Sequence, residues 1–360
     1  MTCIALDARM IQSSGIGTVI ANTTSRLIAR NTHWRFQLIG DPQLLGSFDW
    51  SGAANAEIVP FRAPIFSIAE QTGFPLAKLT ESRLLWSPNY PTPLRWAKKL
   101  LVTIPDMAHL VLPEMRNSLA KQLYARTMFA RARRRADVIA YISQFTADEF
   151  HRLLGKPRGR EQVIHCGVDD AWFSVTPERV RDRPYILFVG NVKQHKNLAR
   201  LLDAYDRIKA DVPHDLVIAG RKEGFITGDN AVLNRIGEFA GRIAFTGYIS
   251  DTAMKQLYGG ADALVLPSLY EGFGLPPVEA MAAGLPALVS RTASLPEVCQ
   301  DAALYCDPLD VTDIALQLQR LLTDQPLRVS LRDKGRSRAR QLSWDNCAQG
   351  YEVAINYLLG

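Results

Sequence analysis

Apolar and polar positions along the chain fall into a repeating pattern. A short run of aliphatic residues meets a polar or glycine-bearing break, and then a longer segment with apolar residues three and four positions apart. The repeat is most regular after residue 184. Tyr185–Val189, Asp215–Ala219, Ile243–Phe245, Leu264–Leu266, Ala287–Val289 and Ala303–Cys306 read as buried strands. Between them Leu198–Lys209, 229–239, 251–258 and Val278–Ala283 read as helices, with two more at 311–322 and 328–340. Strands that alternate with helices and are apolar on both sides predict a parallel sheet covered on both faces.

The first half carries a looser version of the pattern. Strands are predicted at Cys3–Leu6, Trp34–Ile39, Leu84–Trp86, Lys99–Ile104, Asp137–Ile142 and Gln162–His165. Residues 41–64 read as loop with small strands, Ile58-Val59 among them. Helices are expected at Val19–Ala29, Phe66–Leu79, 118–136 and from Ser143 onward. The polar stretch Pro177–Pro184, bounded by prolines, places a hinge at 172–184. It divides the chain into domains at 1–172 and 173–343, and 344–360 reads as a terminal helix packing back toward the first.

The stretch Leu264–Val289 organises the second half. Its strand ends at a tight turn, Tyr270-Glu271-Gly272-Phe273-Gly274, and Pro276 and Pro277 follow where a first helical turn tolerates proline. The polar residues therefore stand at the carboxyl end of a strand, where open parallel sheets bind ligands. Glu271 and Glu279 lie eight positions apart, one in the turn and one in the helix, so they are expected to hold different parts of one long ligand. Lys193, His195 and Lys196 follow the first strand of this half, and Gly220-Arg221 follows the second. Lys196 and Arg221, expected at exposed strand ends, point cations into one crevice, as a diphosphate requires. His195 reads either as a phosphate contact or as loop packing, and backbone groups around Gly247-Tyr248-Ile249, at the end of the third strand, could hold a nucleotide base.

In the first half, Gly15 and Gly17 in SSGIGT let the backbone approach a ligand at a helix amino end. A plain tight turn is the alternative, because the third glycine of a dinucleotide fingerprint is absent. The strand KLLVTI delivers Pro105, Asp106 and His109 into the next loop. The helix at 118–136 is basic, with Lys121, Arg126, Arg131 and Arg133–Arg135, and Leu119, Leu123 and small residues around Ala130 supply an apolar side. Two readings of it stay open: a solvated helix face, or peripheral contact with anionic lipid headgroups or a pyrophosphate-bearing acceptor. Nucleic acid is not expected.

Composition narrows the class. At 360 residues, with 47% hydrophobic and 22% charged, the chain suits two soluble globular domains. A net charge of +6 favours anionic ligands or an anionic membrane face. Five cysteines with no C-x-x-C pair read as reduced thiols of a cytoplasmic protein rather than as a disulfide or zinc framework. No leader and no run near the roughly 20 apolar residues of a membrane span are evident. No Asp-x-Asp metal site stands out, so no metal or other cofactor is expected.

These pieces resemble the retaining two-domain glycosyltransferases of family 4, also called group 1, and among them bacterial polysaccharide mannosyltransferases. The likeness runs over nearly the whole chain. It is carried by EGFGLPPVEAMAAGLPALVS, which matches the family's E-x7-E motif, and by VGNVKQHKNL, LVIAGR and SGIG. It implies the GT-B fold, α/β with two Rossmann-like domains whose parallel sheets face a central cleft. It further implies that the second domain binds a nucleotide-diphosphate sugar and the first an acceptor. Glu271 would then lie against the transferred sugar, amides of Gly272, Phe273, Gly274 and Leu275 would meet its hydroxyls, and Glu279 would hold the ribose. Lys196 and Arg221 would bind the diphosphate, with Gly15 and Gly17 close to the donor.

Two departures from the family pattern are visible. His195 stands where an Arg or Lys commonly precedes the Lys, and Pro105-Asp106 replaces a His-Asp. Either His109 or a backbone group fills that gap, or this branch does without it; Asp106 also reads as a helix cap. The resemblance implies transfer of a sugar, mannose from a GDP donor favoured, to a saccharide or lipid-linked saccharide in polysaccharide or lipopolysaccharide biosynthesis. A nucleotide-dependent dehydrogenase and a non-catalytic nucleotide-sugar-binding protein are the alternatives.

Overall fold

The computed structural model describes residues 1–116, 118–191, 193–220, 239, 241–247 and 249–360. They gather into two compact units, 1–166 with 344–360, and 167–343.

The first unit is built on a seven-stranded sheet of β1 (Thr2–Asp7), β2 (Trp34–Gly40), β3 (Ala56–Pro60), β4 (Ser82–Ser87), β5 (Lys99–Ile104), β6 (Val138–Tyr141) and β7 (Arg160–Val163). Every pairing in it is parallel, and the order is β3-β2-β1-β4-β5-β6-β7. The chain builds outward from β1 in one direction and then, from β4, in the other. The connections leaving β1 and β4, the helix Ser14–Arg30 after the first and a loop after the second, therefore diverge, and a crevice opens between those two carboxyl ends. The terminal helix Trp344–Leu359 belongs to this unit and buries one row: Trp344, Cys347, Ala348, Tyr351, Ala354, Ile355 and Leu358. That three-and-four spacing is the seam expected of a helix laid on a sheet. Beneath it the Tyr351 ring lies 4.4 Å from Trp86, and Trp86 Nε1 donates to Thr103 Oγ1 at 3.0 Å. Thr103 Oγ1 is also 3.0 Å from the Tyr351 hydroxyl, so the buried polar groups satisfy one another.

Three expectations for this unit are corrected. The helix foreseen over Phe66–Leu79 shrinks to Ile68–Thr72 and a short 3-10 turn at Leu76–Lys78, because Gly73 ends it and Pro75 cannot continue it. The basic helix, Leu119–Arg135, buries Ala125, Met128, Phe129 and Ala132 rather than Leu119 and Leu123, which are 83% and 68% exposed. At about 100° per residue those leucines fall on the side away from the core row. Finally, the first helix begins at Ser14, so Gly15 and Gly17 lie inside it rather than in a loop before it.

The second unit holds six parallel strands among the described residues: β8 (Tyr185–Val189), β9 (Asp215–Ala219), β10 (Ile243–Gly247), β11 (Ala263–Leu266), β12 (Ala287–Ser290) and β13 (Leu304–Cys306). Their order, β10-β9-β8-β11-β12-β13, puts the switch between β8 and β11. β8, β9 and β11 are almost wholly buried, as their unbroken apolar runs require. Each of the five cysteines is buried and unpaired.

Gly17 gives a test of packing. A Cβ there would lie 2.2 Å from the carbonyl oxygen of Ile11. Gly→Ala in a helix ordinarily stabilises by about 0.5–1 kcal/mol, but a collision with backbone costs about 1–3 kcal/mol and should win. Gly17→Ala is expected to lower the melting temperature; an unchanged or raised value would show that the first helix can shift away from Ile11.

Candidate active site

The switch between β8 and β11 is where the second unit concentrates its polar side chains. After β8 the chain passes Gly190 and makes the 3-10 turn Gln194–Lys196. Asn197 then takes a left-handed conformation, φ 60°, before the helix Leu198–Ile208. Asparagine tolerates that region, and its amide has two hydrogens to give. Both are used: buried Nδ2 donates to Pro267 O at 2.9 Å and to Pro308 O at 2.7 Å. Leu269 N adds a bond to His195 O at 2.7 Å. The turn after β8 is thereby fastened to the loop after β11.

That fastening sets Lys196. Its stem passes Gly190, where an added Cβ would stand 3.7 Å from Lys196 Cε. Its Nζ reaches Glu271 Oε1 at 2.6 Å, with the two side chains only 16% and 11% exposed. This corrects the expectation of an exposed cation: Lys196 is largely enclosed and charge-paired. A partly desolvated pair of this kind gains little net stability, but it holds both charges in fixed positions.

The loop carrying Glu271 is supported from below. Ser294 Oγ, fully buried, lies 3.0 Å from both Glu271 O and Phe273 O. Gly274 adopts φ 96°, and a Cβ there would meet Leu295 Cδ2 at 2.6 Å. The helix Leu275–Ala283 follows with proline in its first turn, and Gly284 closes it at φ 74°. Glu279 sits in this helix, half-buried, and Oε2 accepts from the Tyr258 hydroxyl at 2.9 Å. Burial pushes its carboxyl up to about 7; the Tyr258 bond opposes that rise, Asp251 adds to it and Lys255 offsets it.

The second unit thus brings Lys196 and Glu271 into contact. Gly272, Phe273, Gly274 and Leu275 run directly from them to the helix that bears Glu279. Glu271 and Glu279 have different partners. Arg221 and Tyr248 lie outside the described residues, as does the expected helix at 229–239 except Phe239. In the first unit Asp106 Oδ1 accepts from Ala108 N at 2.8 Å, two residues on, while Met107 holds the N-cap position of the helix Ala108–Val111. His109 packs among rings, 5.1 Å from Phe66 and 5.6 Å from Tyr90 between centroids. Asn197, Ser294 and Tyr258 were not singled out by sequence reasoning. Asn197 had one usable signal, an asparagine directly before a helix; the other two act only through folds of the chain. Among the described residues no group of three or more His, Cys, Asp or Glu is placed to hold a metal ion. No helix among them is long and apolar enough to cross a membrane.

Comparison with known proteins adds an independent line. Residues 173–338 match the family described as glycosyl transferases group 1. The chain is similar to the O-antigen chain mannosyltransferase B of Escherichia coli, 30% identical over 271 residues, covering 72% of this chain and 70% of that protein. It is also similar to the serotype-specific mannosyltransferase WbdA of Escherichia coli, 30% identical over 228 residues, but spans only 28% of that longer protein. Among solved structures, Alr3699/HepE of Anabaena in complex with UDP and glucose superposes with a TM-score of 0.75 at 15% identity. That match covers 99% of this chain and 100% of the other, and it establishes a common two-domain fold.

The raised carboxyl of Glu279 has a consequence for stability. A carboxyl whose pKa is higher folded than unfolded contributes fully below about 4.5, and the contribution is lost as pH rises through about 7. Glu279→Gln removes that titration. The variant should gain on the wild type between pH 5 and 8 by on the order of 1–3 kcal/mol in denaturant unfolding. A wild-type-to-variant difference that stays constant over this range would mean that Glu279 is ionised at no cost.

Proposed function

Since the chain belongs to the group 1 glycosyl transferases and is a glycosyltransferase of the GT-B fold, we propose that it is a retaining mannosyltransferase. In this reading it moves mannose from GDP-mannose to a saccharide or lipid-linked saccharide during polysaccharide or lipopolysaccharide biosynthesis. The observation that carries it is the Lys196–Glu271 pair at the switch of the second sheet. The family of the chain removes the dehydrogenase alternative. Mannose and GDP are favoured because both curated relatives above are mannosyltransferases. HepE was solved with UDP, so the base is the part of the donor to establish by titration.

The second unit holds the donor. Glu279 accepts from the ribose hydroxyls, amides of Gly272, Phe273, Gly274 and Leu275 meet the sugar, and Glu271 lies against it. Lys196, with Arg221, faces the diphosphate. As the bond from the anomeric carbon to the phosphate oxygen breaks, negative charge grows on the diphosphate, and fixed cations stabilise that state more than the intact donor. The acceptor oxygen bonds to the same face of the sugar, and its proton passes to the departing diphosphate. Retention then requires no carboxylate nucleophile.

The first unit holds the acceptor, with Asp106 and His109 on its side of the reaction and Gly15 and Gly17 near the donor. The basic helix Leu119–Arg135 supports a cytoplasmic enzyme working at the inner face of a membrane. Leu119 and Leu123 stand exposed, Arg126 lies three positions from Leu123 on the same side, and the helix contains no acidic residue.

The two glutamates separate by kinetics. Glu279→Gln is expected to weaken donor binding about ten- to a hundredfold, the worth of a charged hydrogen bond, with kcat little changed. Glu271→Gln is expected to lower kcat with donor affinity close to wild type. Wild-type affinity and turnover in both variants would remove the nucleotide sugar from this site.

A further inference from the structure

The direction of the Glu279 side chain is set from a neighbouring helix, Asp251–Gly260, which Ser250 caps by accepting from Ala253 N at 3.3 Å. Tyr258 lies in its last turn, 1% exposed, and its hydroxyl donates to Glu279 Oε2 at 2.9 Å. The other oxygen near that hydroxyl is Pro276 O, also an acceptor, at 3.4 Å. Burial, with the Glu279 carboxylate beside it, holds the phenol well above its usual range, so it keeps its proton and acts as the donor. The ring is held in turn. Buried Trp172 meets it edge-on, with centroids 4.8 Å apart at 70°, and Lys255 Nζ lies 5.7 Å from the Trp172 ring.

The two oxygens of Glu279 therefore differ. Oε2 is engaged by Tyr258, whereas Oε1 takes no hydrogen bond among the described residues and stays within reach of solvent. A ribose offers two adjacent hydroxyls. An ionised carboxyl can accept from both, but a neutral one commits an oxygen to its own proton. The balance is close, since burial pushes this carboxyl up to about 7. Against that rise stands the Tyr258 bond; Asp251 and Lys255, on the same helix as Tyr258, raise and lower it respectively. Charged groups on the other elements packed there do not shift it: Arg332 and Arg336 at Gly284, Glu297, and Asp170.

We infer that Tyr258 is a positioning residue of the donor site, whose hydroxyl fixes Glu279 Oε2 and so presents an ionised Oε1 to the ribose hydroxyls. The inference rests on the reading above that Glu279 holds the ribose, and it adds the residue that aims it. Buried as it is, Tyr258 touches no ligand and acts only through Glu279. Loss of the hydroxyl removes a contact that favours the carboxylate, so Glu279 then ionises at higher pH and donor affinity follows it.

The test is calorimetric titration of the full chain with GDP-mannose, and with UDP-glucose alongside, from pH 6 to 8. Four proteins are compared: wild type, Tyr258→Phe, Glu279→Gln and the double variant. Tyr258→Phe keeps the ring against Trp172, and melting temperatures check that each protein is folded. Wild-type affinity should rise with pH as Glu279 ionises. Tyr258→Phe should bind about three- to tenfold more weakly at pH 7, with the rise moved to higher pH and kcat at saturating donor unchanged. In the Glu279→Gln background the pH dependence should flatten, and Tyr258→Phe should make no further difference. Wild-type affinity in Tyr258→Phe at every pH, or equal weakening in both backgrounds, overturns the inference and leaves Tyr258 a packing residue. Wild-type affinity in Glu279→Gln, or no binding of either nucleotide sugar by the wild type, overturns the ribose reading and the inference with it.

Discussion

The candidate site depends on how one turn is fastened. Asn197, in a left-handed conformation few residues accept, spends its amide on Pro267 and Pro308 and so locks the end of β8 to the end of β11. Lys196 then has little freedom, and its contact with Glu271 follows from the backbone rather than from attraction alone. Energetically the pair is modest, because desolvating two charges offsets much of their attraction. Its value is placement: a cation and an anion are preset at the sheet's switch.

The same logic recurs in the first unit with other residues. Both sheets reverse their order next to their first strand, and at both reversals a basic side chain is clasped by acids. In the second unit the clasp is single and its loop is rich in glycine, leaving backbone amides near the site. In the first it is double, Arg9 between Asp7 and Glu70, and the guanidinium also lies 4.9 Å from the Phe61 ring and 6.0 Å from that of Phe74.

Much of this was legible in the sequence. Lys99–Ile104, Tyr185–Val189 and Asp215–Ala219 match their predicted strands to the residue, since strands buried on both faces are unbroken apolar runs with polar ends. The loop and helix around Glu271 and Glu279 were equally plain, because proline and glycine act locally. Contacts between distant residues were not. Lys196 meets Glu271 across 75 positions, and Ser294 and Tyr258 reach their partners through the fold alone. The region after Phe66 misled for a local reason: its apolar spacing suits a helix, but Gly73 and Pro75 end it after one turn. The basic helix misled for a global one, as leucines in a helical row need not face the core when another row has Met128 and Phe129.

In the proposed reaction Lys196 drives departure of the nucleoside diphosphate. This is tested most directly by GDP release from GDP-mannose, measured for wild type and Lys196→Ala with a bacterial glycolipid extract as acceptor, beside the melting temperature of each. The expected result is release by the wild type and a rate lower by about a hundredfold or more in a variant still folded at the assay temperature. Turnover at the wild-type rate in Lys196→Ala, or a folded wild type that releases no nucleotide from GDP-mannose or from UDP-glucose, would contradict it.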